Sequence, residues 1–235
     1  MNAQQMNGQQ RMLNDIEMEV TLTRHMIGKE ALDDKVMTAI KQVPRDKFLP
    51  TNFRYLAYAN GPAPIGLGQT ISQPYMVALM TDLLNTKPGD SVLEVGTGSG
   101  YQAAILSKLV AQVYSLEILE ALSDKASRRL KRLGYRNVTV QHGDGSRGWP
   151  EHAPYDGIIV TAAAPDIPHA LIEQLRPGAR LVIPVGLPYS YQELRVLEKT
   201  ADGKIETRHI LDVSFVPLVS GDGMKINDLA GLTDD

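Results

Sequence analysis

The sequence predicts an α/β fold: a doubly wound, mostly parallel sheet with antiparallel C-terminal strands, preceded by an N-terminal helical extension. Between residues 91 and 185, apolar runs of strand length alternate with helical patterns, which is typical of parallel sheets with helical crossovers. The first of these runs leads directly into a glycine-rich turn at residues 96–100. Residues 191–200 and 204–213 alternate in polarity around Asp202-Gly203, which indicates a β-hairpin at the end of the sheet.

The chain before the sheet is expected to form helices and one long irregular segment. Residues 1–10 are rich in Gln and Asn, and we expect a frayed tail or the first turn of a helix that Gly28 ends. A second helix is expected over residues 35–43. Residues 48–69 are rich in proline and glycine and are expected to be irregular. Loops of this length in compact domains are often functional.

Helices and strands then alternate regularly. Ser72 precedes Gln73-Pro74, a pattern typical of a helix N-cap with proline in the first turn, and this helix is expected to reach Leu84. The expected strands that follow are residues 91–95, 112–116, 138–141, 157–161 and 180–185, and the expected helices are residues 100–109, 119–133 and 167–175.

Composition excludes several functional classes. The 235 residues are 43% hydrophobic and 22% charged with a net charge of −3, so we expect no nucleic-acid partner. Cysteine is absent, which excludes disulfides, thiolate zinc sites and a cysteine nucleophile. The five histidines lack metal-ligand spacing, so no metal is expected. No apolar run approaches the ~20 residues of a membrane span and no signal peptide is recognisable, so we expect a cytoplasmic protein without membrane contact.

The glycine loop points to a small cofactor. Gly96, Gly98 and Gly100 follow G-x-G-x-G spacing, whereas dinucleotide sites have G-x-G-x-x-G. Glu94 stands just before the loop, and an acid beside the loop disfavours a diphosphate. A positively charged cofactor without phosphates, such as S-adenosylmethionine, suits this arrangement better. From the spacing alone, a tight turn that only packs a helix on a strand stays open.

Polar or small residues follow the next three strands. Glu117 ends the second strand, where a carboxylate can accept ribose hydroxyls; a solvent-facing acid is the alternative. Asp144, between Gly143 and Gly145, is placed to meet the adenine edge; an Asx turn is the alternative. The small residues 161–165 allow the backbone to approach a ligand closely and to form the floor beneath a transferred methyl group; a tightly packed turn that leads into a helix is the alternative. Because open α/β sheets bind ligands at the carboxyl ends of their strands, the three signals together predict an adenosine site.

Several segments resemble known methyltransferases. Residues 92–101, 143–145 and 155–165 resemble class I S-adenosylmethionine-dependent methyltransferases. The run Pro64-Ile-Gly-Leu-Gly-Gln-Thr-Ile-Ser-Gln-Pro-Tyr75 is similar to the signature of protein-L-isoaspartate O-methyltransferases. Residues 43–50, 175–186 and 215–218 match the same family in the same order, so that the resemblance extends over residues 20–220.

The resemblance implies the reaction. It is methyl transfer from S-adenosylmethionine to the free α-carboxylate of L-isoaspartyl residues in damaged proteins and peptides, which leaves S-adenosylhomocysteine and starts repair through a succinimide. A carboxylate is already ionised at neutral pH, so no general base is required. The resemblance implies that Ser72 is the catalytic residue, as a hydrogen-bond donor to the carboxylate; the N-cap role is its alternative.

The resemblance also implies the ligand-binding residues and the organisation of one methyltransferase domain. The cofactor site is expected at Glu94, Gly96, Thr97, Gly98, Glu117, Asp144 and Gly145, with Glu117 on the ribose and Asp144 on the adenine. The peptide site is expected at Ile65, Gln69, Thr70, Ser72, Val216 and Pro217. The expected divisions are a helical extension over residues 1–50, a substrate-site loop over 51–75, a Rossmann-like core over 76–219 and a tail over 220–235.

The sequence departs from the family pattern at two positions. Tyr75 stands where the family usually has His, and Asn60-Gly61 stands where an acidic residue is common. Tyr75 makes a methyltransferase of another specificity the main alternative. A nicotinamide-dependent oxidoreductase and a binding protein without turnover are further alternatives. The expected partners are isoaspartyl proteins and peptides, and a monomer is favoured over an oligomer.

Overall fold

The computed structural model describes residues 3–188 and 190–221, in which helices and strands alternate. The helices are α1 (Ala3–Ile27), α2 (Asp34–Gln42), α3 (Pro74–Leu84), α4 (Tyr101–Leu106), α5 (Glu120–Arg132) and α6 (His169–Glu173). The strands are β1 (Ala63–Gly66), β2 (Gln69–Ile71), β3 (Ser91–Val95), β4 (Gln112–Glu117), β5 (Val138–His142), β6 (Tyr155–Val160), β7 (Leu175–Gly186), β8 (Gln192–Lys199) and β9 (Ile205–Val213).

Seven strands form one sheet in the order β5-β4-β3-β6-β7-β8-β9. The pairs from β5 to β7 are parallel, whereas β8 lies antiparallel to both β7 and β9. The predicted fold class is therefore confirmed, including its antiparallel C-terminal strands and its N-terminal helices. Because the strand order reverses between β3 and β6, a crevice forms at their carboxyl ends, where sheets of this kind bind ligands.

The sheet is buried on both faces. Successive residues of β3 face opposite sides of the sheet and belong to different hydrophobic clusters. Val92 packs in the cluster that includes residues of α1–α5, and Leu93 packs in the cluster that includes Leu171 of α6. Both side chains are fully buried. A central parallel strand covered on both sides needs an almost continuous apolar run, and this need explains why β3 was recognisable as residues 91–95.

Several boundaries differ from the sequence-based expectations. Helix α1 begins at Ala3, so of the two alternatives for the N-terminal stretch the helix holds over residues 3–10. The segment expected to be irregular includes β1 and runs into β2, and the two strands form an antiparallel hairpin. Helix α4 ends at Leu106, with Ser107 as its C-cap, whereas the expected helix ran to residue 109. Helix α6 spans His169–Glu173 and is shorter than the expected helix over residues 167–175. Most of the predicted C-terminal tail, residues 222–235, lies outside the described residues.

The N-cap of α3 is Gln73, not Ser72, and Gln73 makes no side-chain capping bond. The N-cap alternative for Ser72 is therefore wrong. Pro74 occupies the first turn of the helix, as expected. Among the described helices, none is both long enough and apolar enough to cross a membrane.

Candidate active site

A cavity opens at the carboxyl ends of β3, β4 and β6, where the strand order of the sheet reverses. Its wall consists of the glycine loop after β3, Glu117 at the end of β4, Thr161 after β6, the β2–α3 junction and residues 216–219. The cavity therefore lies where the sequence analysis expected an adenosine site.

The glycine loop needs its glycines for two physical reasons. Gly96, Gly98 and Gly100 have φ values of +96°, +52° and +84°, a left-handed backbone that strains residues with a side chain. A Cβ on Gly96 would lie 2.4 Å from Thr161 Oγ1, and one on Gly98 would lie 3.3 Å from Ile65 Cδ1. Thr161 Oγ1 donates to the carbonyl of Gly96 at 2.7 Å, which joins the loop to the end of β6. The loop is thus held between the sheet and the β1–β2 hairpin.

Glu117 binds the glycine loop directly. Its Oε2 accepts from the backbone amide of Gly98 at 2.7 Å, and its Oε1 accepts from the amide of Leu119 at 3.0 Å. The side chain is buried and lines the cavity, so the solvent-facing alternative is wrong. Burial raises the pKa of Glu117 above its ordinary value, although these amide bonds oppose the rise. Because each carboxylate oxygen has two lone pairs, Glu117 retains acceptor capacity toward the cavity.

Glu94 lies beneath the loop and does not line the cavity. Its carboxylate is fully buried and accepts a hydrogen bond from Ser115 Oγ, which in turn lies 2.6 Å from Thr97 Oγ1. Its other oxygen, Oε1, has no hydrogen-bond partner among the described residues. Burial raises the pKa of Glu94 to about 8. Thr97 lines the cavity, so a polar chain of three side chains connects Glu94 to it.

Asp144 caps the short turn that follows β5. Its Oδ1 accepts from the amide and the hydroxyl of Ser146 at 2.9 and 2.7 Å, which confirms the Asx turn. Its Oδ2 accepts from the amide of Gly221 at 2.9 Å. Burial favours a higher pKa for Asp144, but the bonds from Gly221 and Ser146 outweigh it and lower the pKa. Gly145 lines the cavity beside it, and a Cβ there would lie 2.3 Å from Val95 Cγ1.

A second cleft of about 810 Å³ adjoins the cavity. It runs between the β1–β2 hairpin and the segment 212–217. Five of the expected peptide-site residues line it: Gln69, Thr70, Ser72, Val216 and Pro217. The same five also line the cavity, whereas Ile65 packs behind Gly98 and lines neither. Ser72 thus stands at the boundary between two connected spaces.

Two further groups at the site were missed by the sequence analysis. Arg45, which is fully buried, donates from Nη2 to the carbonyl of Ser72 at 2.8 Å. Ser115 connects Glu94 to Thr97. Neither residue belongs to a local pattern, since each contact joins segments far apart in the chain. The family-like run at residues 43–50 contains Arg45 but gives no sign of its role.

The loop and cavity fit a cationic cofactor without phosphates. A dinucleotide loop offers its amides to a pyrophosphate, whereas here the Gly98 amide is already bonded to a carboxylate. Glu94 lies buried beneath the same loop. Fold and site together define an S-adenosylmethionine-dependent methyltransferase.

Comparison with known families identifies the particular group. The model of the family described as Protein-L-isoaspartate(D-aspartate) O-methyltransferase (PCMT) matches residues 18–223, and the chain belongs to this family. This membership overturns the nicotinamide-dependent oxidoreductase alternative.

Similar proteins support the assignment. The chain is 57% identical over 211 residues to Protein-L-isoaspartate O-methyltransferase 2 of Syntrophobacter fumaroxidans, covering 90% of this chain and 85% of that protein. It is 57% identical over 213 residues to the protein of the same name from Nitrosococcus oceani, covering 91% and 97%.

Solved structures agree in fold. A protein-L-isoaspartate O-methyltransferase matches with a TM-score of 0.76 and 26% identity, covering 89% of this chain and 65% of that chain. A Plasmodium falciparum protein-L-isoaspartate O-methyltransferase in complex with S-adenosyl-L-homocysteine matches with a TM-score of 0.71 and 28% identity, covering 87% and 97%. The chain is thus an enzyme of the protein carboxyl O-methyltransferase class.

Proposed function

We propose that this enzyme methylates the free α-carboxylate of L-isoaspartyl residues in damaged proteins and peptides. The product is S-adenosylhomocysteine and a methyl ester, which closes to a succinimide and so initiates repair. One observation carries the proposal: Ser72 lines both the cavity at the glycine loop and the adjoining cleft of about 810 Å³. A peptide in the cleft would thereby present its carboxylate to a methyl donor in the cavity.

Ser72 is proposed to donate its hydroxyl hydrogen to the substrate carboxylate. Its hydroxyl is not needed to cap α3, because Gln73 is the N-cap. Since the substrate carboxylate is ionised at neutral pH, the protein has to orient and desolvate it but not deprotonate it. Gln69, Thr70, Val216 and Pro217 are proposed to contact the peptide along the cleft, with Ile65 supporting the loop from behind.

The acids around the cavity are proposed to bind the cofactor. When bound, S-adenosylmethionine supplies a methyl group on a positively charged sulfur. Glu117 is proposed to accept the ribose hydroxyls through the lone pairs that Gly98 and Leu119 leave free. Asp144 and Gly145 are proposed to meet the adenine. Glu94, which its raised pKa keeps protonated at neutral pH, is proposed to shape the methionine end of the site through Thr97 and the backbone of the loop at Gly96 and Gly98.

We further propose one methyltransferase domain with the divisions given above, acting as a monomer in the cytoplasm. The absence of cysteine suits a reducing compartment. The net charge of −3 supports protein and peptide partners rather than nucleic acid. Tyr75, on which the alternative of another specificity depended, lines neither the cavity nor the cleft, so no contact of this side chain supports that alternative.

The test is methyl transfer from labelled S-adenosylmethionine to an isoaspartyl peptide and to its normal aspartyl twin. We expect label in the isoaspartyl peptide alone; equal labelling of both, or of neither, would contradict the proposed function. Ser72→Ala should lower kcat by about 10²-fold, as loss of one positioned donor does, with an unchanged Kd for S-adenosylhomocysteine. The matched control is Ser107→Ala at the C-cap of α4, which should leave kcat unchanged.

A further inference from the structure

Arg45 lies between the two halves of the site. Its Nη2 donates to the carbonyl of Ser72 at 2.8 Å, and its Cζ lies 5.0 Å from the ring centre of Tyr101. Ser72 belongs to the β2–α3 junction, whereas Tyr101 begins α4 directly after the glycine loop. Both Ser72 and Tyr101 line the cavity. One guanidinium therefore contacts the segment assigned to the substrate and the segment assigned to the cofactor.

A fully buried arginine is unusual, because burial of its charge is unfavourable. Arg45 is 0% exposed, and its Nε and Nη1 have no hydrogen-bond partner among the described residues. Burial lowers the pKa of Arg45 to about 10, although the interaction with Tyr101 opposes the fall. An incompletely bonded buried charge is destabilising, and an apolar side chain of similar volume is often neutral or stabilising in its place. The residue thus imposes a cost that calls for a functional reason.

The reaction provides that reason. Methyl transfer requires the carboxylate oxygen and the methyl carbon in line at close range, and a displacement of ~1 Å can lower the rate about 10²-fold. A guanidinium is planar and rigid, so it can donate from its edge to a carbonyl while its face packs on an aromatic ring. Phe48, just after Arg45, packs edge-on against the same Tyr101 ring at 5.4 Å, which further restrains the ring.

We propose that Arg45 is a positioning residue that sets the separation between the substrate carboxylate at Ser72 and the methyl donor at the glycine loop. The proposal rests on the function proposed above for Ser72. Arg45 acts through the backbone of Ser72 and the ring of Tyr101. Its removal should therefore affect the chemical step more than the affinity for the cofactor.

The test compares Arg45→Met, Arg45→Lys and the control Arg180→Met. Arg180 also donates to a carbonyl of α3, from Nη1 to Leu83 at 3.3 Å, but at the end of the helix remote from Ser72. For each variant we would measure kcat and KM with an isoaspartyl peptide, the Kd of S-adenosylhomocysteine by calorimetry, and Tm. Arg45→Met should lower kcat about 10²-fold while Kd is unchanged and Tm is equal or higher. Arg45→Lys should recover only part of kcat, and Arg180→Met should keep all of it.

Each outcome decides the proposal. An unchanged kcat in Arg45→Met overturns it, and so does a kcat that falls only in parallel with cofactor affinity and Tm, because that pattern indicates a structural role. If Arg45→Met does not fold, Arg45→Lys decides: a lowered kcat at unchanged Kd supports positioning, and wild-type kinetics overturn it. A wild-type enzyme that does not distinguish the isoaspartyl peptide overturns the proposed function and this inference together, whereas normal wild-type activity that is insensitive to Arg45 overturns the inference alone.

Discussion

Glu117 Oε2 accepts a hydrogen bond from the backbone amide of Gly98 over 2.7 Å. In a dinucleotide site, the amides of such a loop face a pyrophosphate. Here a carboxylate at the end of β4 occupies one of them, and its second oxygen binds the amide of Leu119. A single buried acid thus shapes the loop and occupies the Gly98 amide, which in a dinucleotide site would face a phosphate.

Glu117→Gln should weaken cofactor binding. The glutamine side chain has one acceptor oxygen for two backbone donors, so its NH₂ group must face the amide of Gly98 or Leu119. We expect the Kd of S-adenosylhomocysteine to rise about tenfold or more, equivalent to ~1.4 kcal/mol, in calorimetric titration. Glu120→Gln, at an exposed position in the first turn of α5, should bind as the wild type does. Equal affinities of Glu117→Gln and the wild type would contradict the role given to Glu117.

Gly96→Ala should destabilise the protein and abolish cofactor binding. At φ +96° the new Cβ would lie 2.4 Å from Thr161 Oγ1, so backbone strain and a collision add together. Gly134→Ala is the matched control, because Gly134 has φ +85° and a Cβ added there would have no neighbouring atom within 4 Å. The control should lose only the ~1–2 kcal/mol of a left-handed non-glycine residue, measured by urea unfolding. Similar losses in both variants would show that the contact with Thr161 is unimportant.

Glu94 should make stability depend on pH. Its folded-state pKa of about 8 lies above the ordinary value of 4.5, so the native state holds a proton that the unfolded state releases between these values. The stabilisation is complete below the ordinary pKa and is lost as the pH rises toward the folded-state pKa. Relative to Glu94→Gln, the wild type should therefore lose stability across this window. Urea unfolding of both proteins over a pH series tests this, and a constant difference would contradict it.

The sheet could be predicted from the sequence because its central strands carry their own signal. Val92 and Leu93 are buried in opposite faces, and such a strand is apolar at almost every position. The β1–β2 hairpin carries no such signal. Its strands are only four and three residues long and contain Pro64 and Gly66, which locally indicate a loop. Burial of Ile65 and Ile71 by distant parts of the chain makes this segment a hairpin.

The candidate site could be predicted where its residues lie at strand ends, but not where they are brought in by distant segments. Glu117 and Gly145 could be located because strand ends in a parallel sheet meet at one edge. The N-cap alternative for Ser72 could not be excluded from the sequence, because the Ser-x-Pro pattern does not say which residue begins the helix. Arg45 could not be found from the sequence, since it reaches Ser72 across 27 positions and no local pattern encodes that contact.

Tyr75 links α3 to the N-terminal helix. Its Oη lies 2.5 Å from Thr23 Oγ1, and Thr23 Oγ1 also lies 2.7 Å from the carbonyl of Glu19. Because the threonine hydroxyl has one hydrogen, which it donates to the carbonyl, Tyr75 is the donor to Thr23. Burial raises the pKa of Tyr75, which keeps the phenol protonated and able to donate. The residue that departs from the family pattern therefore binds α1 and lines neither the cavity nor the adjoining cleft.

Tyr75→Phe should accordingly lower stability by about 1 kcal/mol and leave the kinetics with an isoaspartyl peptide unchanged. Thr23→Val should cost a similar amount, and a double-mutant cycle should give a coupling of about 0.5–1.5 kcal/mol because the two changes remove one shared bond. Thr21→Val is the control, since its hydroxyl donates to the carbonyl of Glu17 within α1, at an exposed position. Additive losses would show that Tyr75 and Thr23 act independently. A changed KM in Tyr75→Phe would instead show that Tyr75 contributes to substrate specificity.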